Sequence, residues 1–234
     1  MSGTFIPHME ILPPAQQRLW PQLCKSADLG FVLYGGTAIG LRLGHRPSAD
    51  FDFFSEKPLD REAIQAAFPF VAGSTAVQDE RNALSVLVPC SDPAHSHVKV
   101  SFFGTIGIGR VGQPDLTADG VLLVASLDDL MATKVKVVLQ RAEAKDYRDI
   151  AAMIEAGVSL PRGLAAAREI FGPNFQPSES LKALVYFADG DLQTLSKGEK
   201  NTLVKAVSAV RELPEVVIVS KQLTASGSRK VAEP

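Results

Sequence analysis

The spacing of apolar residues changes near residue 125 of this chain. Before that point, short apolar runs such as Phe31–Tyr34 alternate with stretches whose apolar residues recur every three or four positions. This alternation predicts strands interleaved with helices. From Ser126 onward only the helical spacing persists, and prolines mark the breaks between segments. The pattern therefore predicts an α+β core followed by an all-helical lobe.

Individual elements follow from the same spacing. In the core, we expect helices at 10–27, 36–44 and 59–68, and strands at 31–34, 50–54, 74–79, 83–88, 98–103 and 121–124. In the second half, we expect helices at 126–141, 144–156, 160–171, 178–188 and 198–212. Asp60 and Ser126 are the expected N-caps of two helices, because their side chains can accept a first-turn hydrogen bond. The predicted domains are a core with an N-terminal helix over 1–125, a helical domain over 126–215 and a disordered tail over 216–234.

The segment FVLYGGTAIGLRLGHRPSADFDFF, residues 31–54, is the most informative part of the chain. Gly35 and Gly36 stand where a buried strand is predicted to end and a helix to begin. Glycine lets a backbone approach a phosphate closely, and a helix N-terminus offers free N–H groups and a positive dipole. The turn is thus a candidate phosphate site, although a Gly-Gly pair here is more often only a tight turn.

Two carboxylates follow on the next predicted strand. Asp50 and Asp52 are two residues apart, so both side chains project from the same face of that strand. Phe51, Phe53 and Phe54 surround them, and unpaired charges beside so much apolar surface are costly. A divalent cation would relieve both the desolvation and the mutual repulsion. Alone, an Asp-x-Asp pair is more often a solvated strand edge, but its position after the glycine turn favours a joint nucleotide and metal site.

A lysine and two aspartates complete the set of motifs. Lys134 lies on or beside the apolar stripe of the helix predicted at 126–141, and KDYRD places Asp146 and Asp149 on the next helix. Together with GGTAIGLRLGH and ADFDFF, these residues resemble the nucleotidyltransferase superfold in its AbiEii/AbiGii-type toxin branch, a superfold shared with DNA polymerase β. The resemblance extends over residues 29–157. Without it, Lys134 is equally well interpreted as a flanking lysine, and the aspartates as members of solvent-facing salt bridges.

The resemblance implies a mixed sheet of the minimal nucleotidyltransferase type and a role for each matching residue. The implied ligands of Mg²⁺ or Mn²⁺ are Asp50 and Asp52. The implied catalytic residues are Asp50, Asp52, Lys134, Asp146 and Asp149. The implied nucleotide-binding residues are Gly35, Gly36, Thr37, Lys134 and Arg141. One of the two helical aspartates would orient Lys134 or Arg141, or accept the proton of the attacking hydroxyl, and the sequence leaves that choice open.

One departure from the resemblance concerns a third carboxylate. Polymerase-like members carry an acid on a later core strand beside the Asp-x-Asp pair, whereas VKVSFF offers Ser101 or Lys99 at the facing position. Neither side chain chelates a metal as a carboxylate does, so a two-metal mechanism would lose a ligand. Three alternatives follow: a single metal, recruitment of Asp79 or Glu80 from the neighbouring turn, or weak catalysis.

Composition narrows the functional classes. The chain has 234 residues, of which 46% are hydrophobic and 21% charged, an ordinary balance for a globular protein. Its formal net charge of −2 gives no reason to expect bulk attraction to nucleic acid or to an anionic membrane. No apolar run reaches transmembrane length and no signal-peptide pattern is present, so we expect a cytoplasmic protein without a membrane partner.

Three functional hypotheses follow from these observations. The leading one is a Mg²⁺-dependent nucleotidyltransferase that moves NMP from an NTP to a hydroxyl acceptor, with toxin-like character implied by the resemblance. The acceptor would be a tRNA 3′ end or a protein side chain, and a cognate antitoxin would be a partner. The second is a degenerate nucleotidyltransferase fold that binds a nucleotide or serves as a scaffold without turnover. The third is transfer of a γ-phosphate, since a glycine turn and an Asp pair do not distinguish the phosphate that is attacked.

Overall fold

The computed structural model describes residues 3–90 and 97–224. Within them, one sheet contains the strands β1 (Thr4–Phe5), β2 (Val32–Tyr34), β3 (Phe51–Phe54), β4 (Thr75–Glu80), β5 (Ala83–Pro89), β6 (His97–Phe103), β7 (Asp115–Thr117) and β8 (Leu123–Val124). The helices are α1 (Pro14–Leu19), α2 (Gly35–Leu43), α3 (Arg61–Ala67), α4 (Leu127–Val137), α5 (Ala144–Glu155), α6 (Leu160–Phe171), α7 (Pro177–Leu184) and α8 (Lys197–Ala209). Every strand predicted from the apolar spacing is present.

The sheet is mixed, with the strand order β1-β7-β8-β2-β3-β6-β5-β4. Strand β2 pairs antiparallel with β3 and parallel with β8, while β3 pairs parallel with β6. Strands β5 and β4 extend the sheet by antiparallel pairing. The α+β class predicted from the sequence is confirmed.

Alternation along β3 directs Phe51 and Phe53 to one face of the sheet, and Asp52 and Phe54 to the other. Phe51 and Phe53 are fully buried, and the Phe53 ring centroid lies 5.5 Å from that of Phe102 on β6. Because neighbouring side chains of a strand point to opposite faces, Asp52 projects away from this aromatic layer. In register it lies between Tyr34 on β2 and Ser101 on β6.

The helices of the second half pack directly on the core. Helix α2 follows β2 without a loop and contacts α4 and α5, and α4 also contacts α5 and α6. Ser126 caps α4 by accepting a hydrogen bond from the Asp129 N–H over 3.1 Å, and Asp60 caps α3 by accepting one from Ala63 over 2.9 Å. Both predicted N-caps are confirmed. The division into two domains at residue 125 stays a prediction.

The N-terminal region differs from its prediction. Instead of one helix over 10–27, a short α1 is flanked by 3₁₀ turns at Met9–Ile11 and Trp20–Leu23. Pro21 lacks the N–H group that would continue an α-helix from α1, which explains the second break. Strand β1, which was not predicted, pairs with β7; two residues are too few to show a strand periodicity.

Residues 216–224 correct the prediction of a disordered tail over 216–234. Leu223 is fully buried, and its N–H group donates to the Glu56 carboxylate over 3.1 Å. The buried Arg110 guanidinium donates to the carbonyls of Gln222 and Thr224 over 3.0 and 3.3 Å. Ordering this segment satisfies a charge that would otherwise be unpaired in the interior. The rest of the predicted tail, 225–234, lies outside the described residues.

Among the described residues, no helix has the length and apolar character needed to span a bilayer.

Candidate active site

The predicted carboxylate pair lies at the start of β3. Asp50 is exposed just before the strand, and Asp52 is half-buried within it. Burial raises the pKa of Asp52, and the negative charge of Asp50 raises it further. The charge of Lys99 and a hydrogen bond from Ser101 offset this only in part. Asp52 is therefore both desolvated and repelled by Asp50, and a bound cation would relieve both effects.

The glycine turn, Gly35–Thr37, opens α2 directly beside Asp52. Gly35 has a φ of 77°, a backbone conformation that residues other than glycine rarely adopt. A Cβ atom built on Gly35 would lie 2.8 Å from Asp52 Oδ2, so the carboxylate occupies the space that the missing side chain leaves. Tyr34, the residue at the N-cap position, makes no side-chain capping bond to the first turn of α2. The turn thus has the uncapped N–H groups that an anion could bind.

Gly36 is needed for a different reason. Its φ lies outside the positive region, so its backbone would accept another residue. A Cβ atom at this position would, however, lie 2.5 Å from Arg46 Nη2 and 3.4 Å from Asp149 Oδ2. The second glycine therefore makes room for a guanidinium group.

Thr37 uses its side chain inside the protein. The buried hydroxyl donates to the Asp50 carbonyl oxygen and lies 2.8 Å from Ser48 Oγ. These bonds tie the first turn of α2 to the entry of β3 and so fix the position of Asp50. A phosphate contact from Thr37, predicted partly through its hydroxyl, would have to use the backbone N–H.

Lys134 joins the two predicted aspartates of α5. Its ammonium group is buried, with Nζ 2.5 Å from Asp146 Oδ1 and 2.6 Å from Asp149 Oδ2. Asp146 and Asp149 are three residues apart on a helix, so both face the same neighbour, and both are fully buried. The solvent-facing interpretation of these three residues is wrong, because the packing of α4 against α5 encloses all of them.

Three further side chains, Arg141, Arg46 and His45, contact these two aspartates. We call the six residues together the Lys134 network: Lys134, Asp146, Asp149, Arg141, Arg46 and His45. Arg141 donates to Asp146 through Nε over 2.8 Å and Nη2 over 3.2 Å. Arg46 donates to Asp149 through Nε over 2.6 Å and Nη2 over 2.8 Å. His45 Nε2 lies 2.8 Å from Asp149 Oδ1.

The charges of the Lys134 network leave a positive surplus. Its three cations, Lys134, Arg46 and Arg141, and its two carboxylates give a net charge of +1 with His45 neutral. Outside the network, Arg141 also faces Glu143 over 3.6 Å, and that carboxylate is paired with Lys145 over 2.8 Å. Burial raises the pKa of Asp149, but the hydrogen bond from His45, the charge of Lys134 and the bond from Arg46 outweigh it and hold that pKa far below its usual range. The pKa of Asp146 is also lowered, because bonds from Arg141 and Lys134 outweigh its burial.

These pKa shifts bear on whether Asp146 or Asp149 orients a cation or accepts the proton of the attacking hydroxyl, a choice that the sequence left open. A general base works best when its pKa lies near the working pH, and both aspartates are held below the usual range. Both contact the Lys134 ammonium directly, and Asp146 also contacts Arg141. The geometry and the electrostatics therefore favour the orienting role over proton transfer.

The carboxylate pair and the Lys134 network act on each other. The charge of Lys134 lowers the pKa of Asp52, and the charge of Asp52 raises the pKa of Arg141. Gly36 lies against Arg46 and Asp149, while Gly35 lies against Asp52. The structure thus brings the predicted residues of all three motifs to one place, around the N-terminus of α2.

Sequence reasoning missed His45 and Arg46. A basic dipeptide after a helix C-terminus is most simply interpreted as solvated, because cations are favourable there. The available signal was its position, between the glycine turn and the Asp pair in GHRPSADFDFF. Their partner Asp149 is more than a hundred residues away in sequence, and no local pattern predicts such a contact.

Of the two residues that the sequence offered for the position of the third acid, Ser101 and Lys99, the structure pairs Ser101 with Asp52. Ser101 is fully buried, pairs in register with Asp52, and accepts a hydrogen bond from Ser85 over 3.1 Å. In the described part of the chain, no group of three or more acidic, histidine or cysteine side chains is placed to hold a metal. Two carboxylates, with phosphate oxygens and water as the other ligands, remain a donor set that suits Mg²⁺.

Recruitment of Asp79 or Glu80 does not fit the geometry. Both lie on β4, which β5 and β6 separate from β3. Three strand spacings amount to roughly 14 Å, beyond the reach of one coordination sphere. Asp79 instead forms an ion pair with Arg61 over 2.8 Å.

Comparison with known proteins gives a family and a fold. The family model described as nucleotidyl transferase AbiEii toxin, Type IV TA system, matches residues 19–212, which include all the residues of the candidate site. An uncharacterised protein of Aquifex aeolicus is 30% identical over 162 residues, covering 68% of this chain and 74% of the relative.

Two solved structures share the fold. A proposed nucleotidyltransferase from H. pylori has a TM-score of 0.55 and 16% identity, over 82% of this chain and 91% of its own. MenT4, a nucleotidyltransferase toxin from Mycobacterium tuberculosis, has a TM-score of 0.55 and 13% identity, over 84% of this chain and 83% of its own.

Proposed function

Since this chain belongs to the AbiEii nucleotidyl transferase toxin family and is a nucleotidyltransferase, we propose that it moves NMP from an NTP to a hydroxyl acceptor in a Mg²⁺-dependent reaction. In this reaction the acceptor oxygen bonds to the α-phosphorus and gives up its proton to solvent, and the bond from that phosphorus to the bridging oxygen breaks to release pyrophosphate. The observation that carries the proposal is the contact between the glycine turn and the carboxylate pair, where Gly35 leaves room for Asp52.

Asp50 and Asp52 would hold the metal. The raised pKa of Asp52 supports this assignment, because a cation would stabilise the ionised form that burial and Asp50 disfavour. A bound Mg²⁺ would neutralise charge that develops on the phosphate oxygens. With Ser101 in place of a third acid, the donor set fits one ion better than two.

The triphosphate would lie between the first turn of α2 and the Lys134 network. Backbone N–H groups of Gly35, Gly36 and Thr37 would donate to phosphate oxygens, assisted by the helix dipole. The surplus positive charge of the network would stabilise the transition state electrostatically. Lys134 would contribute part of that charge, and Asp146 and Asp149 would keep its ammonium group in place.

The acceptor and the partners are proposed on the basis of the family. A toxin of this kind would modify a tRNA 3′ end or a protein side chain, and a cognate antitoxin would oppose it. Neither requires bulk positive charge on the toxin, which agrees with the formal net charge of −2.

The test is a label-transfer assay with the purified protein. NTPs labelled at the α-phosphate are mixed with Mg²⁺ and either total tRNA or cellular protein, and the products are separated on gels. We expect label in one acceptor class, release of pyrophosphate, and loss of both with Asp52→Asn or with a chelator.

A matched control is Asp28→Asn, which removes an exposed carboxylate that pairs with Lys25 over 3.6 Å. Release of NDP instead of pyrophosphate would show transfer of a γ-phosphate. NTP binding without transfer to either acceptor class would support the degenerate binding hypothesis and contradict the proposal.

A further inference from the structure

We propose that Arg46 is a positioning residue for nucleotidyl transfer: it occupies the space that Gly36 leaves open, holds Asp149, and through Asp149 holds Lys134. The expected effect of Arg46 on the rate of transfer rests on the proposed function. Its expected effect on the position of Lys134 does not. In this arrangement the second glycine of the turn has a role that differs from close approach of a phosphate.

The Arg46 guanidinium is fixed on several sides. Its Nε and Nη2 donate to the two carboxylate oxygens of Asp149 over 2.6 and 2.8 Å, a bidentate pairing. Its Nη1 donates to the Pro47 carbonyl over 3.0 Å. The Arg46 side chain is 18% exposed and that of Asp149 is fully buried, so little water competes for the bond.

Gly36 makes this arrangement possible. The 2.5 Å between Arg46 Nη2 and a Cβ atom built on Gly36 is far below an allowed contact, so an alanine would displace the guanidinium. The backbone at position 36 does not require glycine, since its φ is outside the positive region. The steric requirement therefore comes from Arg46, with a smaller part from Asp149 Oδ2 at 3.4 Å.

Asp149 transmits the effect to Lys134. Its Oδ2 accepts from both Arg46 Nη2 and Lys134 Nζ, and its Oδ1 accepts from Arg46 Nε and lies 2.8 Å from His45 Nε2. Without the bidentate bond, the carboxylate can turn about its side-chain bonds and the ammonium group loses a fixed acceptor. A displacement of about 1 Å at a reacting site can cost on the order of 100-fold in rate.

The kinetic experiment compares Gly36→Ala, Arg46→Ala and the double variant with the wild type in the label-transfer assay. We expect each single variant to lower kcat on the order of 10- to 100-fold, with KM for the NTP changed less than about threefold. The double variant should be no slower than Arg46→Ala alone, because the alanine at 36 then fills the vacated space. Arg46→Lys, which keeps the charge but not the fork, should recover only part of kcat.

Guanidinium ion provides a sharper control. Added at millimolar concentration, it should restore part of the kcat of Arg46→Ala, because the site for the missing group is intact. It should not rescue the double variant, where the new methyl group occupies that site.

A second readout does not depend on activity. Acylation of Lys134 by an amine reagent, followed by mass spectrometry of the peptides, measures how firmly the ammonium group is held. We expect labelling of Lys134 to be several-fold faster in Arg46→Ala and Gly36→Ala than in the wild type. Lys145, an exposed lysine on the same helix as Asp149, should label at the same rate in all variants.

The outcomes separate the two proposals. Absence of transfer by the wild type, with Lys134 labelling still accelerated in Arg46→Ala, would refute the proposed function and keep this inference. Unchanged labelling in Arg46→Ala would overturn the inference whatever the activity. Additive losses in the double variant would also overturn it, since the glycine would then serve something other than Arg46.

Discussion

At the scale of single residues, Asp52 and Asp149 show how partners decide the chemistry of a desolvated carboxylate. Burial raises the pKa of both. Asp52 has a like charge beside it and only partial compensation, so its pKa stays raised. Asp149 has His45, Lys134 and Arg46 around it, so its pKa is lowered. Asp52 is therefore suited to bind an added metal cation, whereas Asp149 is suited to hold the cationic side chains of the protein itself.

For Asp52, we predict opposite effects on stability and on metal binding. A raised folded-state pKa means that the ionised group destabilises the metal-free protein, a cost that grows as pH rises through that pKa. Asp52→Asn should therefore raise the melting temperature at neutral pH without metal, and abolish the further increase on adding Mn²⁺ and NTP. Thermal denaturation with and without Mn²⁺ and NTP measures both. A lower melting temperature for metal-free Asp52→Asn would contradict this account.

For Asp149, we predict a stabilising contribution that depends on pH. A lowered folded-state pKa gives stability that is present above the unfolded pKa of about 3.9 and is lost as pH falls toward the folded value. Asp149→Asn should cost roughly 3–5 kcal/mol at neutral pH, because it leaves buried cations without their partner. Urea unfolding from pH 7 down to about pH 3 measures the difference in unfolding free energy between the wild type and Asp149→Asn. This difference should shrink below about pH 4. A difference independent of pH would mean that the carboxylate charge is not its source.

At the scale of elements, α2 connects the functional groups. Its first turn contains the glycines, and its Thr37 hydroxyl fixes the entry of β3. The loop after its C-terminus provides His45 and Arg46, which reach α5. One helix and its two flanking turns thus contact the carboxylate strand and the helix of the Lys134 network. A change in α2 should therefore alter several groups of the site together.

For the start of α2, we predict that Gly35→Ala combines two effects. The positive φ costs roughly 1–2 kcal/mol for a residue with a Cβ atom, and that atom would displace Asp52 Oδ2. Stability and metal-dependent NTP binding should both fall. Gly157→Ala is the matched control, since Gly157 has a φ of 89° and nothing within 4 Å of a built Cβ. It should lose a similar amount of stability but keep NTP binding; equal binding by both variants would argue against a site beside Gly35.

At the scale of the whole molecule, the segment 216–224 connects the C-terminal region to the loop between β6 and β7. Arg110 exchanges backbone hydrogen bonds with Val219 and Ser220, and its guanidinium bonds to Gln222 and Thr224. The guanidinium also donates to the Gly112 carbonyl over 2.8 Å. A fully buried arginine is thus satisfied by carbonyl groups from two distant parts of the chain.

For this segment, we predict that a chain ending at residue 215 has a lower free energy of unfolding than a chain ending at residue 224. The shorter chain should be less stable by roughly 3–5 kcal/mol, because the Arg110 guanidinium loses its hydrogen bonds to Gln222 and Thr224 and the buried Leu223 is removed. Urea denaturation of both chains measures the difference. In an Arg110→Met background the difference should shrink, because no charge is then left unsatisfied. Equal stability of the two chains would show that the segment contributes nothing.

Apolar spacing predicted the α+β class and most of the helices and strands, because these depend on the local periods of strand and helix. It did not predict β1 or the breaks on either side of α1. The order of the glycine turn, the Asp pair and the later lysine was enough to indicate the nucleotidyltransferase family. Strand alternation left Ser101 and Lys99 as the two candidates for the place of the third acid, because both lie on the same face of the predicted strand; the register of β3 with β6 selected Ser101.

Tertiary structure alone decided how these groups meet. Packing of α4 on α5 turned Lys134, Asp146 and Asp149 from a solvated pattern into a buried network. Packing of α2 against α5 brought His45 and Arg46 to Asp149. The C-terminal segment 216–224 folds back onto Arg110. The physical reason is distance along the chain: local periodicity fixes which face a side chain occupies, but the partner across that face comes from a remote segment. The burial that gives these charge pairs their strength exists only once the chain has folded.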